Sequence, residues 1–180
     1  MDRNLVTISK FLAKHLRHAP DALGLTLQPG GWVPVDDLLA ASERAGFAVS
    51  YDELIECVET SDKKRFSFDD TGDLIRANQG HSVEVDLQLE GKEPPDVLFH
   101  GTVERFLVSI MADGLKKGKR HHVHLSSDTD TARKVGARRG KPLILQVDAG
   151  KMFGQGFKFY LSVNGVWLTE SVPAVFLARL

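Results

Sequence analysis

The clearest hydrophobic pattern lies near the start of the chain, in residues 5–18. Proline discourages further helix, so Pro20 places Arg17 and His18 at the predicted helix C-terminus. Positive charge is stabilising at that end, which by itself could account for the pair. The apolar face, with the helical spacing i, i+3, i+4, i+7 and i+8, consists of Ile8, Phe11, Leu12, His15 and Leu16.

Two further helices are predicted before the middle of the chain. A helix at 36–45 has acidic residues in its first turn and Gly46 just past its end, as expected from the helix dipole and from glycine C-caps. Ser50 and Glu53 form the capping-box pattern S-x-x-E, which predicts that a third helix begins at about residue 51 and ends near residue 60.

A β-hairpin is predicted next, with strands at 65–68 and 74–77 around the turn 69–72. Three helices followed by a hairpin is the order of a winged helix, a fold that often binds nucleic acid. The third helix is acidic and unsuited to reading a groove, whereas Arg65 and Arg76 on the hairpin are better candidates to bind an anion. Either arginine could also be an ordinary solvated strand residue.

The second half of the chain is predicted to be rich in strands, which makes the whole chain α+β. The boundary between the two lobes, 1–90 and 91–180, is placed in an acidic segment that contains Pro94-Pro95. Ser127 and Asp130 resemble a helix cap, and Asn164-Gly165 indicates a hairpin with a two-residue loop. Strands are predicted at 97–100, 122–126, 142–147, 157–161, 166–169 and 175–179, and helices at 103–112, ended by Gly114, and 128–139.

The composition is that of an ordinary globular protein, with 180 residues of which 42% are apolar and 26% charged. No apolar run approaches the roughly 20 residues that span a bilayer, and the start, residues 1–4, lacks the apolar region of a signal peptide. Cys57 is the single cysteine, so no intrachain disulfide can form. We therefore expect a cytoplasmic location, no membrane partner and no obligate protein partner.

Charge is distributed unevenly between the halves. Residues 1–90 carry 9 Lys and Arg against 16 Asp and Glu, whereas residues 91–180 carry 14 against 8. The opposite signs indicate either two lobes that attract each other or one lobe that handles an anion. A general coat for nucleic acid is disfavoured, because the acidic half would repel phosphates.

Several common chemistries lack their sequence patterns. His122 and His124 alternate on one strand face and could bind zinc with His100 or His81 as a third ligand, but there is neither an HExxH pattern nor a cysteine pair. We therefore expect no metal. Neither G-x-G-x-x-G nor a P-loop occurs, which disfavours a Rossmann dinucleotide site. Arg17, His18, Arg65 and Arg120, drawn from both lobes, instead suit phosphate chemistry.

Six blocks in this order resemble the RNA 2′-phosphotransferase family. Together they extend over nearly the whole chain, so the combination is specific although each block alone is weak. The blocks are Ser9 to Pro20, Lys64-Arg65-Phe66, Ile75 to Ser82, His100-Gly101-Thr102, Arg120 to Ser126, and Gly165 to Thr169.

The resemblance implies a fold and a reaction. It implies an N-terminal winged-helix lobe for RNA and a C-terminal lobe of ADP-ribosyltransferase-like fold that binds NAD. The family removes an internal 2′-phosphate from RNA, typically at tRNA splice junctions. The phosphate attacks the nicotinamide ribose of NAD, which forms an ADP-ribosylated 2′-phosphate and releases nicotinamide. The neighbouring 2″-hydroxyl then displaces the RNA and forms ADP-ribose 1″,2″-cyclic phosphate.

The resemblance also implies site residues. The essential set would be Arg17, His18, Arg65 and Arg120, with three guanidinium groups on the phosphate and His18 assisting proton movement. The resemblance places Val172 where the wider fold has a carboxylate, with Glu170 two residues away, and an anionic phosphate needs no such activation. The residues expected to bind NAD are His100, Gly101, Thr102, His124, Ser126 and Ser127, and those expected to bind RNA are Arg76, Gln79, His81 and Ser82.

Two other classes of function stay open on the sequence. An ADP-ribosyltransferase that stops after one step, on nucleic-acid ends or on protein, would leave a stable ADP-ribosylated product. A winged-helix binding module would lack turnover altogether, and the acidic third helix already disfavours it.

Overall fold

The computed structural model describes residues 5–180, so residues 1–4, on which the expectation of no signal peptide depends, lie outside the described residues. The chain divides into two compact units, the first reaching Gln88 and the second spanning Leu89–Leu180. Each unit has its own hydrophobic core. Both mix helices with antiparallel sheet, which confirms the α+β class. None of the described helices has the length and apolar character required to cross a bilayer.

The described part of the first unit contains three α-helices and a three-stranded antiparallel sheet in the order β1-β3-β2. The three helices and the hairpin were predicted, whereas strand β1 was not. A three-residue strand that ends in proline is too short to show an alternating pattern. The elements are α1 Leu5–Arg17, β1 Trp32–Pro34, α2 Val35–Arg44, α3 Tyr51–Glu59, β2 Phe66–Phe68 and β3 Leu74–Ala77.

Local signals explain why the first unit folds this way. The apolar face of α1 buries Ile8, Leu12 and Leu16, each no more than 1% exposed. The capping box at α3 is confirmed: the Glu53 N–H donates to the Ser50 side chain at 3.2 Å, and the Ser50 N–H donates to the Glu53 carboxylate at 2.8 Å. Helix α1 thus enters the core with Arg17 as its last residue.

Phe11→Ala is expected to destabilise the protein by about 3 kcal/mol, the lower end of the range for such truncations. Phe11 is partly buried rather than fully buried, and its ring stacks on Phe47 with centroids 4.1 Å apart. It also packs against the ring of His15, at 4.5 Å between centroids. Urea unfolding measures the loss. An unchanged free energy of unfolding would show that this stack contributes nothing to the core.

The second unit is built on three antiparallel sheets within its described residues, in the orders β11-β7-β4, β6-β9-β8 and β10-β5. Reciprocal backbone hydrogen bonds of 2.8 Å between Phe99 and Ser126 connect β4 to the segment after β6. The elements are β4 Val97–Val103, α4 Glu104–Asp113, β5 Leu115–Lys116, β6 Val123–Leu125, α5 Thr129–Gly136, β7 Pro142–Asp148, α6 Ala149–Gly154, β8 Phe159–Leu161, β9 Trp167–Thr169, β10 Ser171–Val172 and β11 Leu177–Arg179.

Two turn and cap predictions were wrong in the second unit. Asp128, not the Ser127–Asp130 pair, caps α5, because its carboxylate accepts the Thr131 N–H at 2.7 Å. The hairpin between β8 and β9 has a three-residue loop, 163–165, closed by the Ser162 N–H on the Val166 carbonyl at 2.9 Å. Its Gly165 adopts φ +78°, the left-handed conformation that such loops require.

Candidate active site

Arg17 links the end of helix α1 to strand β2. Its Nη2 donates to the main-chain carbonyl of Arg65 at 3.3 Å. Its guanidinium carbon lies 5.6 Å from the ring centroid of Phe66, whose side chain is buried. The guanidinium group of Arg17 therefore lies beside the backbone of Arg65, the residue before β2, although the two arginines are 48 positions apart in the sequence.

The loop 78–82 packs over the same end of α1. Nδ1 of His18 lies 2.9 Å from the Ser82 hydroxyl, and the Ser82 N–H donates to the Arg17 carbonyl at 2.9 Å. Gly80 has φ +85°, and a Cβ there would lie 3.6 Å from Nη1 of Arg17. His18 and Ser82 are both exposed, so a ligand in solvent can reach the imidazole.

Arg65 completes the group in the first unit. Its Nη1 donates to the hydroxyl of Ser9 on α1 at 3.4 Å. Asn78 holds the backbone on either side of it, since its N–H donates to the Arg65 carbonyl at 2.9 Å and its Nδ2 to the Lys64 carbonyl at 2.7 Å. Within the first unit, the Arg17 side chain thus contacts the Arg65 backbone, the Arg65 side chain contacts Ser9, and His18 contacts Ser82. Ser9 and Asn78 support the two arginines; both lie in blocks that carry the resemblance, but neither had been assigned a role in the site.

Two of the residues predicted to bind RNA have mainly internal contacts. Arg76 lies over the ring of Trp32 at 4.4 Å, and its Nη1 donates to the Gly30 carbonyl at 3.3 Å. Burial lowers the pKa of this guanidinium. His81 is 0% exposed and packs beside Gly31. These contacts favour a supporting role for both residues, whereas Gln79 is partly exposed and Ser82 is exposed.

His100 is the main polar group of strand β4. Its Nδ1 lies 3.1 Å from the carbonyl of His124, which can only accept, so Nδ1 carries the proton. Burial lowers the pKa of His100, and the charges of Arg139 and Arg120 lower it further against the opposing effect of that hydrogen bond. A neutral imidazole protonated at Nδ1 keeps Nε2 as an acceptor.

Arg120 lies in the loop between β5 and β6, where its N–H donates to the Lys117 carbonyl at 3.2 Å. Partial desolvation lowers the pKa of its guanidinium although the residue as a whole is exposed, and repulsion from Arg139 and Arg138 lowers that pKa further. The ammonium of Lys117 is hydrogen-bonded to the carboxylate of Glu170, which lowers the pKa of that carboxyl group. Glu170 therefore already has a cationic partner.

The other residues expected to bind NAD differ in their surroundings. A Cβ on Gly101 would lie 1.7 Å from the Ala132 carbonyl oxygen, so this glycine lets β4 approach helix α5. Thr102 is buried at 4% exposure. Ser126 uses its backbone to pair with Phe99, and Ser127 is exposed. Gly101 therefore has a packing role, which a glycine inside a strand can signal.

The histidines that follow Arg120 have ring and charge partners within the second unit. His122 packs edge-on against Tyr160, with ring centroids 5.4 Å apart. Burial lowers the pKa of His122, partly offset by Glu170. Within residues 5–180 no group of three His, Cys, Asp or Glu side chains is arranged to hold a metal ion.

The second unit has charges and polar groups that suit an anionic dinucleotide. Arg120, Arg138 and Arg139 influence one another electrostatically, and the cations Arg139 and Arg120 also act on the neutral His100. A pyrophosphate would relieve the mutual repulsion of these cations. Arg138 and Arg139 were not among the residues predicted to form the site.

The low pKa of His100 predicts a pH-dependent stability. Because the folded protein resists protonation of His100, the unfolded chain takes up this proton first as the pH falls below about 6.5. The free energy of unfolding should therefore decrease on acidification. His100→Gln removes this contribution, so its stability should fall less than that of the wild type between about pH 7 and about pH 5. Urea unfolding at both pH values tests this, and parallel curves would contradict it.

Comparisons with known proteins give a consistent result. A family model described as RNA 2′-phosphotransferase, Tpt1 / KptA family, matches residues 3–171. A probable RNA 2′-phosphotransferase of Nostoc punctiforme is 56% identical over 99% of both chains. Proteins of the same name from Streptomyces griseus, 52% identical over 98% of this chain and 97% of the relative, and from Hahella chejuensis, 48% identical over 100% and 97%, are also similar.

Proposed function

Since the chain belongs to the RNA 2′-phosphotransferase, Tpt1 / KptA family, we propose that it removes an internal 2′-phosphate from RNA with NAD as co-substrate. Membership makes the protein a transferase enzyme, which excludes a pure binding module. The products we propose are RNA with a free 2′-hydroxyl, nicotinamide and ADP-ribose 1″,2″-cyclic phosphate. In fold terms, we propose a winged-helix first unit and an ADP-ribosyltransferase-like second unit.

The observation that carries the proposal is the cluster in the first unit. Arg17 and Arg65 are linked through a side-chain hydrogen bond, and the exposed imidazole of His18 follows directly on Arg17. Guanidinium groups bind phosphate through two parallel hydrogen bonds, which makes this cluster suited to a dianionic 2′-phosphate. The cluster lies at the end of a helix rather than in a groove-reading position, as fits recognition of one phosphate group.

In the first step, an oxygen of the 2′-phosphate forms a bond to the anomeric carbon of the nicotinamide ribose as the bond to nicotinamide breaks. Arg17 and Arg65 bind and orient the phosphate. Arg120 is the third arginine that we assign to the reaction. Glu170 has no role as an activating base in this scheme, because Lys117 already holds it and a phosphate is anionic without help.

In the second step, the ribose 2″-hydroxyl attacks phosphorus and the RNA 2′-oxygen leaves. The hydroxyl loses a proton and the departing oxygen gains one. His18 is the group we assign to this proton movement, since its ring is exposed and its Nδ1 already has the Ser82 hydroxyl as a partner at 2.9 Å. The arginines stabilise the charge that develops on the phosphate oxygens.

Binding of NAD is assigned to the second unit. The neutral His100, with Nε2 as acceptor, suits a ribose hydroxyl donor. The His124 carbonyl accepts from His100, Ser126 pairs with the adjacent Phe99 and is followed by Ser127, and Thr102 lies two residues further along β4. Gly101 contributes by allowing close packing rather than by direct contact. The cations near Arg120 suit the pyrophosphate.

A paired substrate assay tests this function. Purified protein is incubated with NAD and either an RNA bearing one internal 2′-phosphate or the same RNA with a 2′-hydroxyl. We expect nicotinamide release only with the phosphorylated RNA, in a one-to-one ratio to the phosphate removed. Release that is independent of the 2′-phosphate, or no release by folded protein, would refute the proposal.

A further inference from the structure

A second cationic surface lies on helix α5 and the turn that follows it. Five of the nine residues in 133–141 are positively charged and none is acidic. All five side chains belong to exposed residues. They are Arg133, Lys134, Arg138, Arg139 and Lys141; we call them the α5 basic surface.

The packing of α5 explains why these charges face outward. Ala132 is 0% exposed and Gly136, one turn later, is also buried. A Cβ on Gly136 would lie 2.8 Å from the Thr102 carbonyl oxygen, so the helix backbone rests directly on β4. With positions 132 and 136 fixed against the sheet, the intervening positions point away from it.

The α5 basic surface is poorly neutralised by the protein itself. The ion pairs found in residues 5–180 involve Lys116, Lys117 and Arg179 rather than any of its members. The charge of Lys134 lowers the pKa of Asp128, but hydrogen bonds to Asp128 lower that pKa more. Arg139 lies 5.8 Å from the Phe106 ring. Clustered like charges destabilise a fold, so an external polyanion would relieve a repulsion that the unit otherwise retains.

We propose that the α5 basic surface, through Arg133, Lys134 and Lys141, binds phosphates of the RNA chain outside the 2′-phosphate that reacts. The inference rests on the proposed function for the identity of the polyanion. These contacts should be to the RNA backbone and independent of its sequence. The exposed hydrophobic side chain among the charges is Val135, which has no aromatic ring to stack on a base. Arg138 and Arg139 also act on Arg120, so the residues specific to this surface are Arg133, Lys134 and Lys141.

The test is a salt series of RNA binding by the full chain. The variant Arg133→Gln/Lys134→Gln/Lys141→Gln is compared with the wild type, using a labelled single-stranded RNA of about 20 nucleotides without any 2′-phosphate. Each lost phosphate contact should reduce the slope of log Kd against log salt by about 0.7, so we expect a reduction of roughly 2 and affinity about tenfold weaker at low salt. The variant's melting temperature verifies that it is folded.

A matched control removes the same charge elsewhere in the same unit. Lys92→Gln/Lys151→Gln/Lys158→Gln changes three exposed lysines outside the α5 basic surface and should keep most of the wild-type slope. An unchanged slope in the α5 variant, or an equal loss in the control, overturns the inference. The RNA probe lacks the reacting group, so failure of the proposed function would show as absent turnover while this binding result stands independently.

Discussion

Arg120→Ala is expected to lower the rate of 2′-phosphate removal by about 100-fold or more, as loss of a charge-stabilising donor typically does. The side chain belongs to an exposed residue, and its resolved electrostatic interactions within the protein are repulsions from Arg138 and Arg139. Removing it should therefore leave folding intact or slightly improved. Rates under saturating NAD, with melting temperatures alongside, separate the two effects.

Arg120→Lys provides the matched control, because it keeps the charge but loses the planar fork of donors. We expect it to recover only part of the rate. Lys119→Ala removes a neighbouring exposed charge and should stay near the wild-type rate. A near-normal rate for Arg120→Ala would remove this residue from the active site. An equal loss of rate for Lys119→Ala would show that Arg120 contributes only through the overall positive charge of the loop.

Gly101→Ala is expected to destabilise the protein by at least about 3 kcal/mol, at the upper end of what overpacking costs. The added methyl would lie 1.7 Å from the Ala132 carbonyl oxygen and 2.8 Å from the Gly136 nitrogen. Both are backbone atoms, so no side chain can rotate away, and helix α5 must separate from β4. Urea unfolding measures the effect, and the displaced helix should also reduce activity.

Gly154→Ala is the control, since a Cβ there meets nothing within 4 Å. It should be neutral or slightly stabilising. If Gly101→Ala unfolds at the same urea concentration as Gly154→Ala, then close packing of α5 on β4 does not explain the glycine, and its original assignment to NAD contact becomes the better one.

The sequence predicted those features that depend on neighbours in the chain. The apolar period of α1 and the capping box at Ser50 are local, and both are confirmed. Strand β1 was missed because it is stabilised by pairing with β3, with Trp32 opposite Arg76. At α5, any of the three polar residues 126–128 could cap the helix. The sequence does not distinguish them, and the backbone conformation in the structure makes Asp128 the N-cap.

The candidate site shows the same division. Residue chemistry and the resemblance pointed to Arg17, His18 and Arg65. In the structure, Arg17 contacts the Arg65 backbone 48 positions away, and His18 contacts Ser82 64 positions away. The sequence could not reveal that Ser9 and Asn78 support the arginines, because a polar residue by itself does not indicate which distant residue it will contact. Likewise, the sequence does not distinguish whether Gly101 in the His-Gly-Thr motif contacts a ligand or lets two backbone segments pack closely.

The most direct test of the proposed two-step reaction is mass spectrometry of all products from NAD and an RNA with one internal 2′-phosphate. If both steps occur, dephosphorylated RNA and ADP-ribose cyclic phosphate should form in equal amounts. Accumulation of a stable ADP-ribosylated RNA, without any cyclic phosphate, would contradict it and identify a transferase that stops after the first step.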